Sequence, residues 1–327
     1  MTKLSRRSFG IGLTSAGLAL AARPAFAQAY PTRLIRIFVP FTAGGSSDTL
    51  ARIMGEALQG PLGQPVIVEN RPGGNSTVGM LAAAGAAPDG YTMIQGHIGT
   101  HAITPAITPP TAYDVGKTFA TVAVPATSSN LLVVRVGGPI DSMKTFLEMA
   151  KAKPGTLNYG SPGVGSPSHI SVLQLAAQTG INVVHVAYRG NSAAITDMLN
   201  GTLDFMFASP AECIEQVRAG KLKALGASAA ERSAGAPDIA PLAELGVPGF
   251  NFRTWHVLSM RADTPPEIIA KMRGEIAKVM AGEAYRKRLA ELSLDPGIGD
   301  GVEAEKYVQS EIEHWRKFVK DNGIQPG

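Results

Sequence analysis

The sequence predicts an α/β protein with parallel sheets covered on both faces, in a chain long enough for two domains. Three observations carry this. Short apolar runs alternate with amphipathic, helix-spaced segments almost throughout, as strands and their covering helices do. The chain has 327 residues, enough for two domains of ordinary size. Two glycine-rich stretches each stand between a strand pattern and a helix pattern: Pro40-Phe41-Thr42-Ala43-Gly44-Gly45-Ser46-Ser47-Asp48, and Asn158-Tyr159-Gly160-Ser161-Pro162-Gly163-Val164-Gly165-Ser166-Pro167-Ser168-His169.

Residues 1–27 read as an export signal that takes no part in the fold. Lys3, Arg6 and Arg7 make a basic start, residues 11–22 an apolar middle, and Ala25-Phe26-Ala27 an A-x-A cleavage site, so the mature chain is predicted to begin at Gln28. Ser5-Arg6-Arg7-Ser8-Phe9 fits a twin-arginine signal; an ordinary secretory signal with two neighbouring arginines is the alternative. No other apolar run approaches the ~20 residues of a membrane span. The whole chain carries a net charge of +4, and the signal holds Lys3, Arg6, Arg7 and Arg23 with no acid, which leaves the remainder neutral. A neutral chain has no general attraction to nucleic acid or to an anionic membrane. The lone cysteine, Cys213, excludes an internal disulfide and is expected to be a small buried hydrophobe.

Taken in order, residues 34–39 read as a buried strand, and Leu50, Ile53, Met54, Ala57 and Leu58 as one face of a helix ending near Gly60. A strand over 66–69, a turn at Asn70-Arg71-Pro72-Gly73-Gly74 and an alanine-rich helix over 76–86 follow. Pro88-Asp89-Gly90 turns into a strand over 91–95. Residues 122–126 and 131–136 are two further apolar runs, and Asp141 is expected to cap a helix that Pro154-Gly155 ends. Short strands are predicted over 157–160, 183–186, 205–208 and 224–227, with a helix opened by Ser209-Pro210 and closed by Gly220. The last part reads as helical. Thr264-Pro265-Pro266-Glu267 suggests a threonine cap before the stripe Ile268, Ile269, Met272, Ile276 and Met280, and a final helix covers 302–320.

Each glycine-rich corner offers the same chemistry. Glycine lets the backbone turn tightly and lets a ligand approach it. The first N–H groups of the following helix have no partner inside it, and the helix dipole places partial positive charge there. A carboxylate or phosphate is the natural guest. A capped strand–turn–helix corner without ligand is the alternative for either stretch alone. Gly160 and Gly165 have P-loop spacing, but Ser166 stands where the lysine belongs. Gly163-Val164-Gly165 is followed by Ser168 in place of the third glycine of a dinucleotide fingerprint, and neither corner contains a G-x-S-x-G elbow. Two such corners on separate sheets are what a cleft would use to hold an anion from both sides. A bulky β-branched residue at Gly45 or Gly165 is expected to block ligand approach while sparing the fold.

An ordered series of short matches resembles the Bug-type solute receptors of tripartite tricarboxylate transporters. It runs through Tyr30-Pro31, Val39-Pro40-Phe41 with Gly44-Gly45, Asp48-Thr49-Leu50-Ala51-Arg52 and Val68-Glu69-Asn70-Arg71-Pro72-Gly73-Gly74. It continues with Pro88-Asp89-Gly90-Tyr91-Thr92, Gly99-Thr100-His101-Ala102-Ile103 with Pro105, and Leu157-Asn158-Tyr159-Gly160-Ser161. His185-Val186 with Tyr188 and Gly190, Ala219-Gly220-Lys221-Leu222, Trp255 and Glu313-His314-Trp315 complete it.

The resemblance implies a two-lobed periplasmic binding protein of Venus-flytrap type with a mainly parallel sheet in each lobe. Residues 28–130 plus 255–327 would form the first lobe and 131–254 the second. It implies a monomeric, periplasmic receptor for a small carboxylate, partnered by membrane transporter subunits or a sensor protein, with no cofactor, metal or catalytic residue. Carried over by position, Thr42, Ala43, Gly44, Ser46 and Ser47 would hold the ligand from the first lobe. Ser161, Gly163, Val164, Gly165 and Ser166 would hold it from the second, with Gly96 and His97 lining the cleft and Tyr188 a candidate wall.

The sequence also departs from the family's pattern. The usual H-V-P-Y-K-G reads His185-Val186-Ala187-Tyr188-Arg189-Gly190, and Thr104 stands where an asparagine is usual before Pro105. Many relatives carry aspartate and asparagine where this chain has Ala208 and Ser209, so the cleft is expected to lack an acid that could pair a ligand ammonium. A di- or tricarboxylate or an aromatic acid is the ligand expected on that basis. His97 and His101 lie four apart, but Gly96 and Gly99 argue against a shared metal-binding helix face. His169 is expected to orient its neighbours, Arg71 to tie down its own turn, and Asp48 to answer the helix dipole. An exported α/β hydrolase using the same cleft is the competing reading, but no nucleophile, base and acid stand at convincing spacing. An interaction module without a small ligand would not need two glycine-rich corners.

Overall fold

The computed structural model describes residues 30–74, 76–107, 113–188, 190–233 and 236–324. The export segment, its cleavage site after Ala27 and Arg189 lie outside the described residues.

The first strand, β1 (Ile35–Val39), is buried but for Arg36, and α1 (Ser46–Leu62) lays Leu50, Ile53, Met54 and Leu58 against the same core. The helix runs through Pro61 to a left-handed Gly63, slightly beyond the expected end at Gly60. Next come β2 (Val66–Asn70), α2 (Thr77–Ala84), β3 (Thr92–His97), a π-helical turn (Gly99–Ile103), α3 (Thr104–Ile107), α4 (Val115–Thr118) and β4 (Phe119–Ser129). The chain continues through β5 (Leu131–Arg135), α5 (Met143–Ala152), β6 (Asn158–Ser161), α6 (Pro167–Thr179), β7 (Val184–Ala187), α7 (Asn191–Leu199) and β8 (Phe205–Ala208). It ends with α8 (Pro210–Arg218), β9 (Leu222–Ala227), β10 (Arg253–Arg261), α9 (Pro266–Ala281), α10 (Glu283–Glu291), β11 (Asp295–Ile298) and α11 (Gly301–Asp321).

Two sheets result, with strand orders β11-β4-β10-β3-β1-β2 and β7-β6-β8-β5-β9. The first contains the parallel set β2-β1-β3, and β4 runs the same way; β10 and β11 run opposite. In the second, β5 alone opposes the other four. The parallel character is thus a majority direction in mixed sheets.

Several local expectations change. The C-terminal part is not wholly helical: β10 enters the middle of the first sheet and β11 its edge. The cap of α5 is Ser142, whose Oγ accepts the Thr145 N–H at 3.1 Å, whereas Asp141 stands one residue too early and accepts the Thr145 hydroxyl at 2.8 Å. Pro265, not Thr264, occupies the cap position of α9.

The chain passes from the first sheet to the second through Asn130 alone and returns between β9 and β10. The two crossings are stitched together. Asn130 N–H donates to Ser228 Oγ at 2.8 Å, Ser228 N–H to the Asn130 carbonyl at 2.8 Å, and Phe252 N–H to the Ser228 carbonyl at 2.7 Å. Ser129 Oγ accepts the Ala229 N–H at 3.0 Å. These polar side chains are buried, and each bond spares a desolvated group. Helix α11 fastens to the first sheet through Glu311, whose Oε2 accepts both the Trp255 and the Trp315 indole N–H at 2.8 and 3.1 Å.

Candidate binding site between the two sheets

A cavity of about 370 Å³ lies between the sheets, within the range of small-molecule pockets. Five helices start on it. Gly45, Ser76, Ser166, Gly190 and Ser209, the residues capping the N-termini of α1, α2, α6, α7 and α8, all line it. Its floor is Ser128, Asn130 and Thr254, at or beside the strand crossings.

On the first-sheet side, the turn before α1 presents Phe41, Thr42, Gly45, Ser46 and Ser47. Gly44 takes φ +87°, a conformation suited to glycine, and donates its N–H to Asp48 Oδ2 at 2.9 Å. Asp48 is fully engaged: it also accepts from Arg52 at 2.9 Å and from Asn70 at 2.9 Å. Burial alone would raise its carboxyl, but these bonds together hold it below the usual range. It therefore braces the turn rather than acting as a base. Arg71 pairs with Glu69 at 2.6 Å and lies over the Phe38 ring, tied to its own turn.

His97 stacks on Phe41 with ring centroids 4.5 Å apart and accepts the Gly99 N–H on Nδ1 at 2.9 Å. Opposite it in the sheet, on β10, stands His256, whose Nδ1 lies 3.3 Å from Ser47 Oγ. Burial pushes His97 down to about 4 and His256 to about 3, so both imidazoles are neutral near pH 7. The Ser47–His256 pair has no carboxylate orienting the ring among the described residues, and an imidazole so weakly basic is a poor general base. His101, behind them, bonds Thr100 Oγ1 at 2.9 Å and Ser259 Oγ at 3.3 Å. Among the described residues no group of three or more His, Cys, Asp or Glu could hold a metal.

On the second-sheet side, Pro162, Gly165, Ser166, Pro167 and Ser168 border the cavity at the start of α6. Ser166 Oγ accepts the His169 N–H at 3.3 Å, and His169 Nδ1 accepts the Gly165 N–H at 3.4 Å, so His169 orients the corner. Gly165 takes φ +81°, and a Cβ there would lie 3.3 Å from Thr104 Oγ1 and 3.5 Å from Ile107. A side chain at Gly165 would strain the backbone and press on the first sheet's helices, so the fold would not be spared as expected; at Gly45 a Cβ meets only the Thr42 carbonyl at 3.9 Å.

Of the residues nominated from sequence, Thr42, Ser46, Ser47, His97, Gly165 and Ser166 line the cavity. The others stand behind it or beside it. Ala43 and Gly44 belong to the turn, and Gly96 makes room for the side chains of His101 and Thr100. Ser161 is buried, bonded to His185 Nε2 at 2.7 Å and to the Gly163 N–H at 3.1 Å. Val164 packs against the core. Tyr188 donates to Asp197 at 2.8 Å and packs against the core cluster that contains Ala208, whose side chain is wholly buried.

The expectation that no acid reaches the cleft is overturned. Glu212, one turn into α8, lines the cavity. Its Oε2 accepts the Ser209 N–H at 3.2 Å and the Asn191 side-chain amide at 2.7 Å. The pattern Ser209-Pro210-Ala211-Glu212 is the signal that could have located it, since a glutamate at the third helical position folds back on the cap. Cys213 beside it is buried, with its thiol pushed up to about 12 by burial. His256 and Thr254 were missed because β10 was.

The chain has counterparts in sequence and in fold. The sequence matches the family described as tripartite tricarboxylate transporter family receptor over residues 50–324. It is 30% identical to protein BugT of Bordetella pertussis, over 97% of this chain and 96% of that protein. Among solved structures, R. palustris Rpa4515 with adipate superposes with a TM-score of 0.84 at 30% identity, covering 91% of this chain and all of that one. MatC of Rhodopseudomonas palustris with bound malate gives 0.80 at 32% identity, covering 89% and all of that chain. The chain belongs to the tripartite tricarboxylate transporter receptor family.

Proposed function

We propose that this protein is an exported, periplasmic receptor that captures a small carboxylate between its two lobes and delivers it to membrane transporter subunits or to a sensor protein. The lobes we assign to residues 28–130 plus 255–327 and to 131–254, with the signal removed after Ala27. The protein acts as a monomer and binds its ligand without chemical change.

One observation carries this reading: five helix N-termini are capped by residues of a single cavity. A helix start whose first turn holds no acid, as in α2, α6 and α7, contributes on the order of 0.3–1 kcal/mol toward an anion through its dipole, whereas Asp48 and Glu212 already answer the dipoles of α1 and α8. The first N–H groups of α1 and the Ser168 N–H of α6, which make none of the described hydrogen bonds, add charge-assisted bonds to a carboxylate. Thr42, Ser46 and Ser47 are the residues we assign to this role, with His97 as a neutral hydrogen-bonding partner; Gly165 and Ser166, whose own N–H groups are taken by His169 Nδ1 and the Gly163 carbonyl, we assign to shaping the opposite wall. The adipate and malate held by the two R. palustris proteins support the ligand class. Full engagement of Asp48 and the low basicity of His256 favour binding over catalysis.

Thermal-shift screening of monocarboxylates, dicarboxylates and amino acids tests it. A ligand at 100 times its Kd stabilises by ~2.7 kcal/mol, an easily seen shift. At least one carboxylate is expected to raise the melting temperature; a response confined to sugars, amines or other non-acids would overturn the proposal.

A further inference from the structure

Glu212 is the one formally charged side chain among the described residues lining the cavity. Its structural task uses only half of it. Oε2 closes the start of α8 on the Ser209 N–H and takes the Asn191 amide, which Ser168 orients by donating to Asn191 Oδ1 at 3.3 Å. Oε1 takes none of the described hydrogen bonds, although an ionised carboxylate can accept about four. A glutamine could accept the same two hydrogen bonds, so the cap itself does not require the charge. Burial works against that charge and raises the carboxyl. Thr254 Oγ1, from a residue that lines the same cavity, is buried without a partner among the described residues.

We propose that Glu212 determines specificity: the site takes a carboxylate whose far end carries an ammonium, with the carboxylate toward the helix starts and the ammonium on Glu212 Oε1. This rests on the carboxylate reading above and names the ligand's second group. The helix starts repel a cation, which leaves Glu212 as the place where an ammonium finds opposite charge. No lysine or arginine among the described lining residues competes for it. A second carboxylate at the same spot would meet like charge and would need a proton to bind. Pairing an ammonium with the half-buried carboxylate offsets the desolvation of both.

Calorimetry on the wild type and on Glu212→Gln decides this, using acids of three to six carbons in three series: ω-amino acids such as 4-aminobutyrate, the matching diacids such as succinate, and the matching ω-hydroxy acids. The wild type is expected to bind an ω-amino acid at least tenfold more tightly than its matching diacid and hydroxy acid. Glu212→Gln is expected to lose that preference while melting no lower than the wild type. A diacid bound as tightly as its amino counterpart, or a preference unchanged in Glu212→Gln, would overturn the assignment and leave the carboxylate reading standing. A hydroxy acid bound as tightly as the amino acid would show that a neutral donor suffices, which also overturns it. Should Glu212→Gln fold poorly, Glu212→Asp, which keeps the charge on a shorter arm, is expected to weaken the amino acids while ranking them above the diacids; the reverse ranking contradicts the proposal. Failure of all three series on both proteins, with another acid responding in the thermal-shift screen, would overturn the assignment and leave the carboxylate reading standing; failure of every acid in that screen would bring down both.

Discussion

On the first-sheet side the cavity is faced by hydroxyls at the start of α1 and by two imidazoles that burial keeps neutral. On the second-sheet side it is faced by the hydroxyls of Ser166 and Ser168, the amide of Asn191 and the carboxylate of Glu212. Both sides use helix starts, and both use glycine where the chain turns. They differ in what stands behind the helix start. Asp48, one turn into α1, is enclosed by Arg52, Asn70 and the Gly44 N–H and shows the cavity nothing. Glu212, one turn into α8, is closed on one oxygen only. The same residue class at the same kind of place is a brace in one lobe and an open acceptor in the other. Neutral hydrogen-bonding groups on one side and an unbalanced acid on the other suit a ligand with two unlike ends.

The largest effect that would sharpen this contrast comes from the two corner glycines. Gly45→Val is expected to fold normally, because its φ of −80° suits any residue and its Cβ has room, yet to lose ligand affinity by more than tenfold as the side chain enters the cavity. Gly165→Val is expected to lower the melting temperature clearly, since φ +81° alone costs roughly 1–3 kcal/mol in strain. Calorimetry and melting on both variants check this. Equal melting temperatures would break the asymmetry.

Acid sensitivity comes next. Burial pushes His97 and His169 down to about 4 and His101 and His256 to about 3, from an ordinary 6.5. Below 6.5 the unfolded chain binds protons on these rings that the folded chain refuses, so the unfolded state holds more protons and stability falls with pH. The loss begins near pH 6.5 and continues toward about 4 for His97 and His169 and toward about 3 for His101 and His256, with a slope on the order of 1 kcal/mol per pH unit for each ring. Three of these rings belong to the first-sheet side, so His256→Gln should flatten the profile more than any change at Glu212. A melting temperature unchanged between pH 7 and pH 5 would contradict it. The smallest effect carries the opposite sign. Glu212 has a raised carboxyl, so its contribution worsens as pH climbs above the ordinary value of 4.5, and Glu212→Gln should melt a little higher at pH 7 without ligand.

Much of this was legible in the sequence, and what was not has identifiable causes. The strand, glycine turn and helix of residues 35–62 obey period and punctuation rules that need no tertiary information. Strand β10 did not announce itself, because residues 254–260 are all buried and carry no alternation of apolar and polar faces. Strand β11 reads as a turn through Pro296 and Gly297, which an edge strand tolerates where a central one would not. Losing β10 meant losing His256 and Thr254. The resemblance directed attention to position 208, whose side chain proves to be core, while the acid that reaches the cavity comes from the capping pattern four residues on. Helix-start donors are visible in sequence; which side chain then projects past them depends on how far each helix stands from the cavity.

The central claim is that a carboxylate sits against the converging helix starts. The most direct measurement titrates the tightest-binding acid from the thermal-shift series, and its neutral primary amide, into the same protein by calorimetry. Replacing the anion by an amide keeps size and removes charge. The account predicts that the amide binds at least a hundredfold more weakly, and that added salt changes the acid's affinity little because the site is sheltered. Equal affinities for acid and amide would contradict it.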